Sequence, residues 1–410
     1  MQVTAKDTTL SRGQFVSRRQ PGAGLTAWQT AILSCLVSVA LAGASLGAEA
    51  TWLERWTALA LDPASFRANL PELQFDEPQR PTADLITYYN AYDLHIPEYA
   101  HRFGTFESGD FIVSAHFFRP KQALATVILM HGYFDHSGTL SQTIRHLLSK
   151  GYAVAAYDMP GHGLSSGRAA HIDRFLDYEQ VLSDFIAICK RQMPGPYHVI
   201  AHSTGAAVVT SRLLSAPEQD DFGAVILVAP LVRSAYWHLS AVSANVADLF
   251  MDDIPRVFRE NSSDQAFLES VRDDPLQSHQ ASFEWMDALV EWNKRIATYP
   301  PSPRKVDIIQ GDQDSIVDWD YNLAFLETKF PNARVTMIEG GKHQLLANGN
   351  RLITEAKAAR IFEITPQGET VWEWIAEPYD EKRVFDVLEG TRYPDISAET
   401  TAAWACMEDR

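Results

Sequence analysis

A series of short, almost wholly apolar runs occupies the middle of this 410-residue chain: Thr126–Met130 (TVILM), Tyr152–Tyr157, Tyr197–Ala201 and Ala224–Val228 (AVILV). Each has the length of a strand, and unbroken apolarity marks a strand buried on both faces. Helical patterns, such as Leu140–Leu148 and Phe175–Lys190, stand between them. This alternation leaves little choice of architecture: a mostly parallel sheet with helices on both faces. Phe111–Phe118 before the series, and Lys305–Gln310 and Ala333–Ile338 after it, extend the pattern. The sequence predicts a doubly wound α/β domain.

The alternation breaks after Pro230. Residues 232–300 are helical in composition and rich in Trp, Phe and Met, including Tyr236, Trp237, Phe250, Met251, Trp285 and Trp292. They read as a helical cap splitting the core into 101–231 and 301–359. Such an insertion lies over the carboxyl ends of the strands, where open sheets bind ligands. A helical extension at 51–100 precedes the core, with Trp52, Leu53, Trp56, Leu59 and Ala60 at helical spacing. A C-terminal extension at 360–410 follows, and Arg360–Trp374 alternates around Pro366-Gln367-Gly368 as a hairpin does.

Residues 1–50 have the character of a leader. Leu25 to Ala48 carry no charge, and Arg12, Arg18 and Arg19 precede them. Ala31–Ala42 suits the apolar region of a signal peptide, with small-residue sites at Ala42-Gly43-Ala44 and Ala48-Glu49-Ala50. The whole uncharged run is also long enough to span a bilayer as an anchor. Either reading exports the catalytic domain, because the preceding positive charge stays on the cytoplasmic side. The anchor reading adds membrane association through this segment. A net charge of −17 argues against a nucleic-acid partner. Cys35, Cys189 and Cys406 form no C-x-x-C pair. Cys189 ends an apolar stretch and reads as a buried thiol, while pairing with Cys406 requires an oxidising compartment.

The chemistry concentrates at Val199-Ile200-Ala201-His202-Ser203-Thr204-Gly205. An apolar strand runs into a serine flanked by small residues and then into a helix, the pattern of a nucleophile elbow. The usual form is G-x-S-x-G, and Ala201 takes the place of the first glycine. Met130-His131-Gly132-Tyr133 follows a buried strand, where the other oxyanion donor belongs. The backbone N–H groups of Tyr133 and Thr204 are the expected oxyanion hole. Tyr157-Asp158-Met159-Pro160-Gly161-His162-Gly163-Leu164-Ser165 closes the next strand with a glycine-rich loop.

HGYFDHSG, YDMPGHGLSSG and AHSTG, in this order and spacing, resemble the monoacylglycerol lipase and lysophospholipase branch of the α/β-hydrolases, a branch often labelled serine aminopeptidase-like. The resemblance covers roughly His101 to Ala359 and implies an α/β-hydrolase fold. The departures are Ala201 and the long extensions at both ends. In this fold an acid and then a histidine follow the serine. Gly311-Asp312-Gln313-Asp314-Ser315-Ile316-Val317-Asp318 offers three acids. The branch's spacing, a glycine, two residues, the aspartate and an apolar pair, selects Asp314, with Asp312 as runner-up and Asp318 facing solvent. His343, behind Gly340-Gly341 after the last strand, is the expected base. His131, His136, His162 and His202 are expected to brace loops, and His238 and His279 to lie at the surface of the cap.

The expected activity is a serine hydrolase cleaving carboxylic esters through an acyl-enzyme, with Ser203, His343 and Asp314 as its triad. No metal or organic cofactor is required. The resemblance implies a monoacylglycerol or lysophospholipid-like ester as the small-molecule substrate. Cap aromatics suit an acyl chain, although at helical spacing they equally form a cap's own core. A peptidase or broad carboxylesterase, an acyltransferase and an inactive binding module are the competing readings. A dehalogenase or epoxide hydrolase needs an acidic nucleophile where Ser203 stands.

Overall fold

The alternation of apolar runs appears as an eight-stranded sheet in the computed structural model. It describes residues 63–76, 78–219, 221–235, 237, 253–262 and 264–346, and the backbone of three strands beyond. The leader at 1–50 and the Trp52–Ala60 stretch lie outside the described residues.

In chain order the elements are α1 (Pro63–Ala68), α2 (Ala83–Ala91), β1 (Ala100–Ser108), β2 (Phe111–Arg119), β3 (Thr126–Met130), α3 (Ser141–Ser149), β4 (Ala153–Tyr157) and α4 (Phe175–Gln192). They continue with β5 (Tyr197–His202), α5 (Thr204–Ser215), β6 (Val225–Val228), β7 (Asp253–Pro255), α6 (Gln265–Asp273), β8 (Gln280–Ser282) and α7 (Phe283–Thr298). The last are β9 (Asp307–Gly311), α8 (Trp319–Lys329), β10 (Arg334–Ile338), β11 (Arg351–Glu355), β12 (Arg360–Ile364) and β13 (Thr370–Ile375). The main sheet has the order β1-β2-β4-β3-β5-β6-β9-β10, antiparallel from β1 through β2 to β4 and parallel thereafter. This is the α/β-hydrolase fold.

Alternation along β3 explains why the sheet must be covered on both sides. Ile128 and Met130 enter one core with α4, α5 and α7, whereas Val127 and Leu129 enter the other with α2 and α3. All are essentially inaccessible, and each fully buried aliphatic side chain contributes roughly 1.5–3 kcal/mol. The N-terminal extension roofs the second core: Phe66, Leu85, Tyr88, Tyr89 and Tyr92 are buried there. Thr82 caps α2 by accepting the Leu85 N–H.

The aromatic residues of 232–300 divide. On α7, Trp285, Leu289, Trp292 and Ile296 belong to the first core, so that helix is scaffold. The shorter β7–β8 ladder and α6, capped by Asp264, form the described part of the insertion proper. Tyr236, Phe250 and Met251 lie outside the described residues. Beyond β10, β11–β12–β13 form a separate antiparallel sheet, with the expected hairpin between β12 and β13. Among the described residues Cys189 is an unpaired, buried thiol whose ionisation burial opposes, and Cys406 lies outside them.

Candidate active site

Ser203 stands between β5 and α5 at φ 51° and ψ −111°, left-handed for a residue with a Cβ. The turn stores strain and lifts Oγ clear of the strand. A Cβ on Gly205 would meet the His131 carbonyl at 2.6 Å and Met130 Cβ at 2.9 Å, so glycine is required there. Ala201 is fully buried in β5 between Met130 and Leu227. Its methyl is accommodated where the usual motif has glycine.

His343 Nε2 lies 3.0 Å from Ser203 Oγ, and His343 Nδ1 lies 2.8 Å from Asp314 Oδ2. The three residues, separated by up to 140 positions, are all buried. Asp314 follows β9 in a turn where Oδ1 accepts the N–H groups of Ile316 and Val317 at 2.8 and 3.2 Å. Oδ2 also accepts Gln310 Nε2–H at 3.0 Å. Burial alone would raise the Asp314 pKa. The neighbouring His343 and these hydrogen bonds outweigh it and hold the carboxyl below its ordinary value. Asp312 instead accepts the Gly340 N–H, and Asp318 caps α8. The spacing selected the acid that reaches the histidine.

The bracing histidines work through defined tautomers. His202 donates Nε2–H to the His343 carbonyl at 3.0 Å, fixing that loop. His131 accepts the Met159 N–H at Nε2 and donates from Nδ1 to the Gly132 carbonyl. His162 donates from Nδ1 to the Pro160 carbonyl. His136 pairs with Asp274 of the insertion at 2.9 Å, and the other oxygen of Asp274 accepts Tyr92 O–H at 2.7 Å. His279 is exposed, and His238 lies outside the described residues.

Burial lowers most of these histidine pKa values, to about 3 at His202 and about 4 at His162. His116, in the second core, is lowered by burial to about 3. Such groups bind protons more readily in the unfolded chain. Their contribution to stability is complete above about pH 6.5 and is lost as pH falls toward 4. His136 has the opposite sign: burial lowers its pKa, but Asp274 outweighs that and raises it. Its contribution is present below about pH 6.5 and is lost as pH rises through its folded value. The lowered group is larger, so the urea midpoint is expected to fall steadily from pH 6.5 to 4. A flat midpoint over that window contradicts the assignment.

Tyr133 and Thr204 flank Ser203 from β3 and α5. Neither backbone N–H donates a hydrogen bond among the described residues, and Thr204 begins the twelve-residue α5, whose dipole favours negative charge at that end. The Tyr133 side chain donates to the Ala170 carbonyl at 2.6 Å and stacks on Trp285 at 3.8 Å. Gly132 is confined, since a Cβ there would lie 2.9 Å from His202 Nδ1 and 3.1 Å from Ser203 Cβ. Gly132→Ala is expected to displace the Tyr133 amide and lower kcat/KM by about 10–100-fold. An unchanged kcat/KM removes Tyr133 from the oxyanion hole.

Sequence reading missed several polar partners. Asp135 accepts Gln344 Nε2–H at 2.7 Å and Gln277 Nε2–H at 3.2 Å, joining the loop that carries Tyr133, the His343 loop and the insertion. Burial raises its pKa. Arg256 lies between the Phe134 and Phe258 rings at 4.2 and 4.4 Å. Burial lowers its pKa to about 10. These contacts join segments far apart in sequence, so no local pattern announces them.

The glycine-rich loop is explained by Asp158, which is inaccessible to solvent. It accepts the Ser137 N–H and O–H at 2.7 and 2.6 Å, Leu164 N–H at 2.8 Å and Ser114 O–H at 2.9 Å. Gly163, at φ +51°, leaves room for that carboxylate. Among the described residues no three His, Cys, Asp or Glu side chains are grouped to hold a metal ion. No described helix is long and apolar enough to cross a membrane.

A family model described as serine aminopeptidase, S33, matches residues 121–350. A monkeypox virus monoglyceride lipase homolog is 28% identical over 229 residues, covering 54% of this chain and 82% of that protein. A Mycolicibacterium smegmatis monoacylglycerol lipase is 27% identical over 160 residues, covering 37% of this chain and 56% of that protein. A soluble variant of Saccharomyces cerevisiae monoglyceride lipase shares the fold, with TM-score 0.51 and 18% identity over 58% of this chain and 86% of that one. The family match takes in Tyr133, Ser203, Asp314 and His343 and spans more than half of the sequence. The chain belongs to the serine aminopeptidase (S33) family of α/β-hydrolases.

Proposed function

We propose that this protein is a serine hydrolase of carboxylic esters, acting on monoacylglycerol or lysophospholipid-like substrates through an acyl-enzyme. The observation that carries this reading is the unbroken chain from Ser203 Oγ through the His343 imidazole to Asp314 Oδ2, at 3.0 and 2.8 Å. Asp314 holds the His343 Nδ1–H, which leaves Nε2 free to take the serine proton. Oγ attacks the ester carbonyl, and the Tyr133 and Thr204 amides hold the resulting oxyanion. His343 returns the proton to the departing alcohol. Water then enters by the same route and releases the acid.

The lipid class rests on the lipase names of the viral and mycobacterial relatives. Export of the catalytic domain rests on the uncharged run from Leu25 to Ala48 and the arginines before it. N-terminal sequencing of the mature protein distinguishes cleavage from anchoring.

A fluorophosphonate probe is expected to label the wild type and not Ser203→Ala. Labelling that survives the substitution, or is absent from both, defeats the nucleophile assignment. Monoacylglycerol, lysophospholipid and an aminoacyl-anilide, assayed side by side, decide the substrate class. Turnover of the anilide alone makes the protein a peptidase.

A further inference from the structure

β1 and β2 pair so that Arg102 lies opposite Phe117 and Ala100 opposite Arg119. Residues two apart on a strand share a face. Arg102, Phe117 and Arg119 therefore stand on one side of the hairpin, the two arginines as diagonal neighbours with backbones roughly 7–8 Å apart. With Lys121 just beyond the strand, they line a cleft of about 460 Å³, whose apolar walls include Phe75, Tyr99 and Met193. That volume lies within the range of small-molecule pockets. Phe75 packs edge-on against Phe117 at 5.1 Å, making a firm apolar wall.

The cleft is remote from the triad. β2 ends beside the beginning of β4, with Phe118 opposite Val154, whereas Ser203 follows the end of β5. The two sites open at opposite ends of the sheet.

Its electrostatics are anomalous for this chain. With 52 acidic against 35 basic residues, carboxylate partners are plentiful. Yet among the described residues Arg102, Arg119 and Lys121 form no ion pair. Arg102 donates from Nη1 to the His101 carbonyl at 3.1 Å, and its Nε is buried without an acceptor. A buried donor left unsatisfied loses its hydration with nothing in return, and like charges set diagonally on a sheet repel. Glu98 is the acid of the lining and, against Arg102, Arg119 and Lys121, leaves it positive. An anion entering the cleft relieves the second of these, the repulsion between the two arginines.

We propose that this cleft binds a single-chain anionic amphiphile. Its carboxylate or phosphate sits among Arg102, Arg119 and Lys121, and its hydrocarbon lies against Phe75, Tyr99 and Met193. Guanidinium groups suit either anion through paired N–H donors. The site stands independently of the triad and of the reaction assigned to it.

Calorimetric titration of the full chain with monomeric oleate and oleyl phosphate tests this, with oleyl alcohol as the neutral counterpart. Either or both anions are expected to bind, the alcohol at least tenfold more weakly. Arg102→Gln/Arg119→Gln is expected to reduce anion affinity at least tenfold. Ala100→Trp, which fills the cleft and keeps its charges, is expected to do the same. Melting temperature verifies that each variant is folded, and either one decides if the other is not. Anion affinity unchanged in a folded variant places the ligand elsewhere and overturns the proposal. Equal affinity for oleyl alcohol overturns the anionic requirement. Sedimentation with phosphatidylglycerol vesicles without binding of either monomer makes the patch a membrane contact and overturns the pocket.

Discussion

Asp314→Asn is expected to lower kcat by about 10⁴-fold in a protein that still folds at the assay temperature. The side chain keeps its shape, and one oxygen can still accept the Ile316 and Val317 N–H groups. An amide NH₂ would then replace Oδ2, facing both Gln310 Nε2–H and His343 Nδ1–H. Donors facing donors drive the imidazole to the other tautomer, whose Nε2 carries a proton and cannot accept one from Ser203. Asp312→Asn provides the contrast, because Asp312 accepts the Gly340 N–H and stands apart from the imidazole. Its kcat is expected to stay within a few-fold of wild type. Steady-state kinetics on an ester substrate reads both, and equal losses at the two positions would remove Asp314 from the triad.

Asp158→Asn is expected to destabilise the fold by about 3–5 kcal/mol, read as a lower urea midpoint. The carboxylate receives hydrogen bonds from Ser114, Ser137 and Leu164 in a site without solvent. Burial would raise its pKa, but His136, His131 and those donors prevail and lower it to about 2. A carboxyl with a lowered folded pKa contributes stability above its unfolded value near 4 and loses it as pH falls through 2. At neutral pH its contribution is therefore fully present. Asparagine retains an acceptor for Ser137 but turns N–H groups toward the Leu164 N–H. A loss below 1 kcal/mol would show that the loop's geometry does not depend on this anion.

The strands most legible in the sequence are those buried on both faces. TVILM is β3 to the residue, because two-sided burial demands apolar side chains at every position. β1, Ala100–Ser108, gave no such sign: it is an edge strand carrying His101, Arg102 and Glu107, half accessible in places. Ser203, Asp314 and His343 were legible because each follows a strand in a turn with small residues. The partners that hold them were not. Gln310 to Asp314 and Gln344 to Asp135 are ordinary polar residues whose meaning comes from contact. The apolar residues of α7 show a further limit. Helical spacing revealed a buried stripe but not that the stripe packs on α4 and α5 rather than on a ligand.

The two ends of the insertion have different consequences for anyone transplanting it between relatives. Asp274 is held by Tyr92 and His136, partners outside the insertion, and α7 after it supplies Trp285 under Tyr133. A chimera joined at Ser282 carries the β7–β8 ladder whole and keeps the recipient's α7, and with it the Trp285 footing of the loop that carries Tyr133. One joined at Thr298 exchanges part of the catalytic foundation along with the cover. Modularity here ends about a helix earlier than the change in sequence texture suggests.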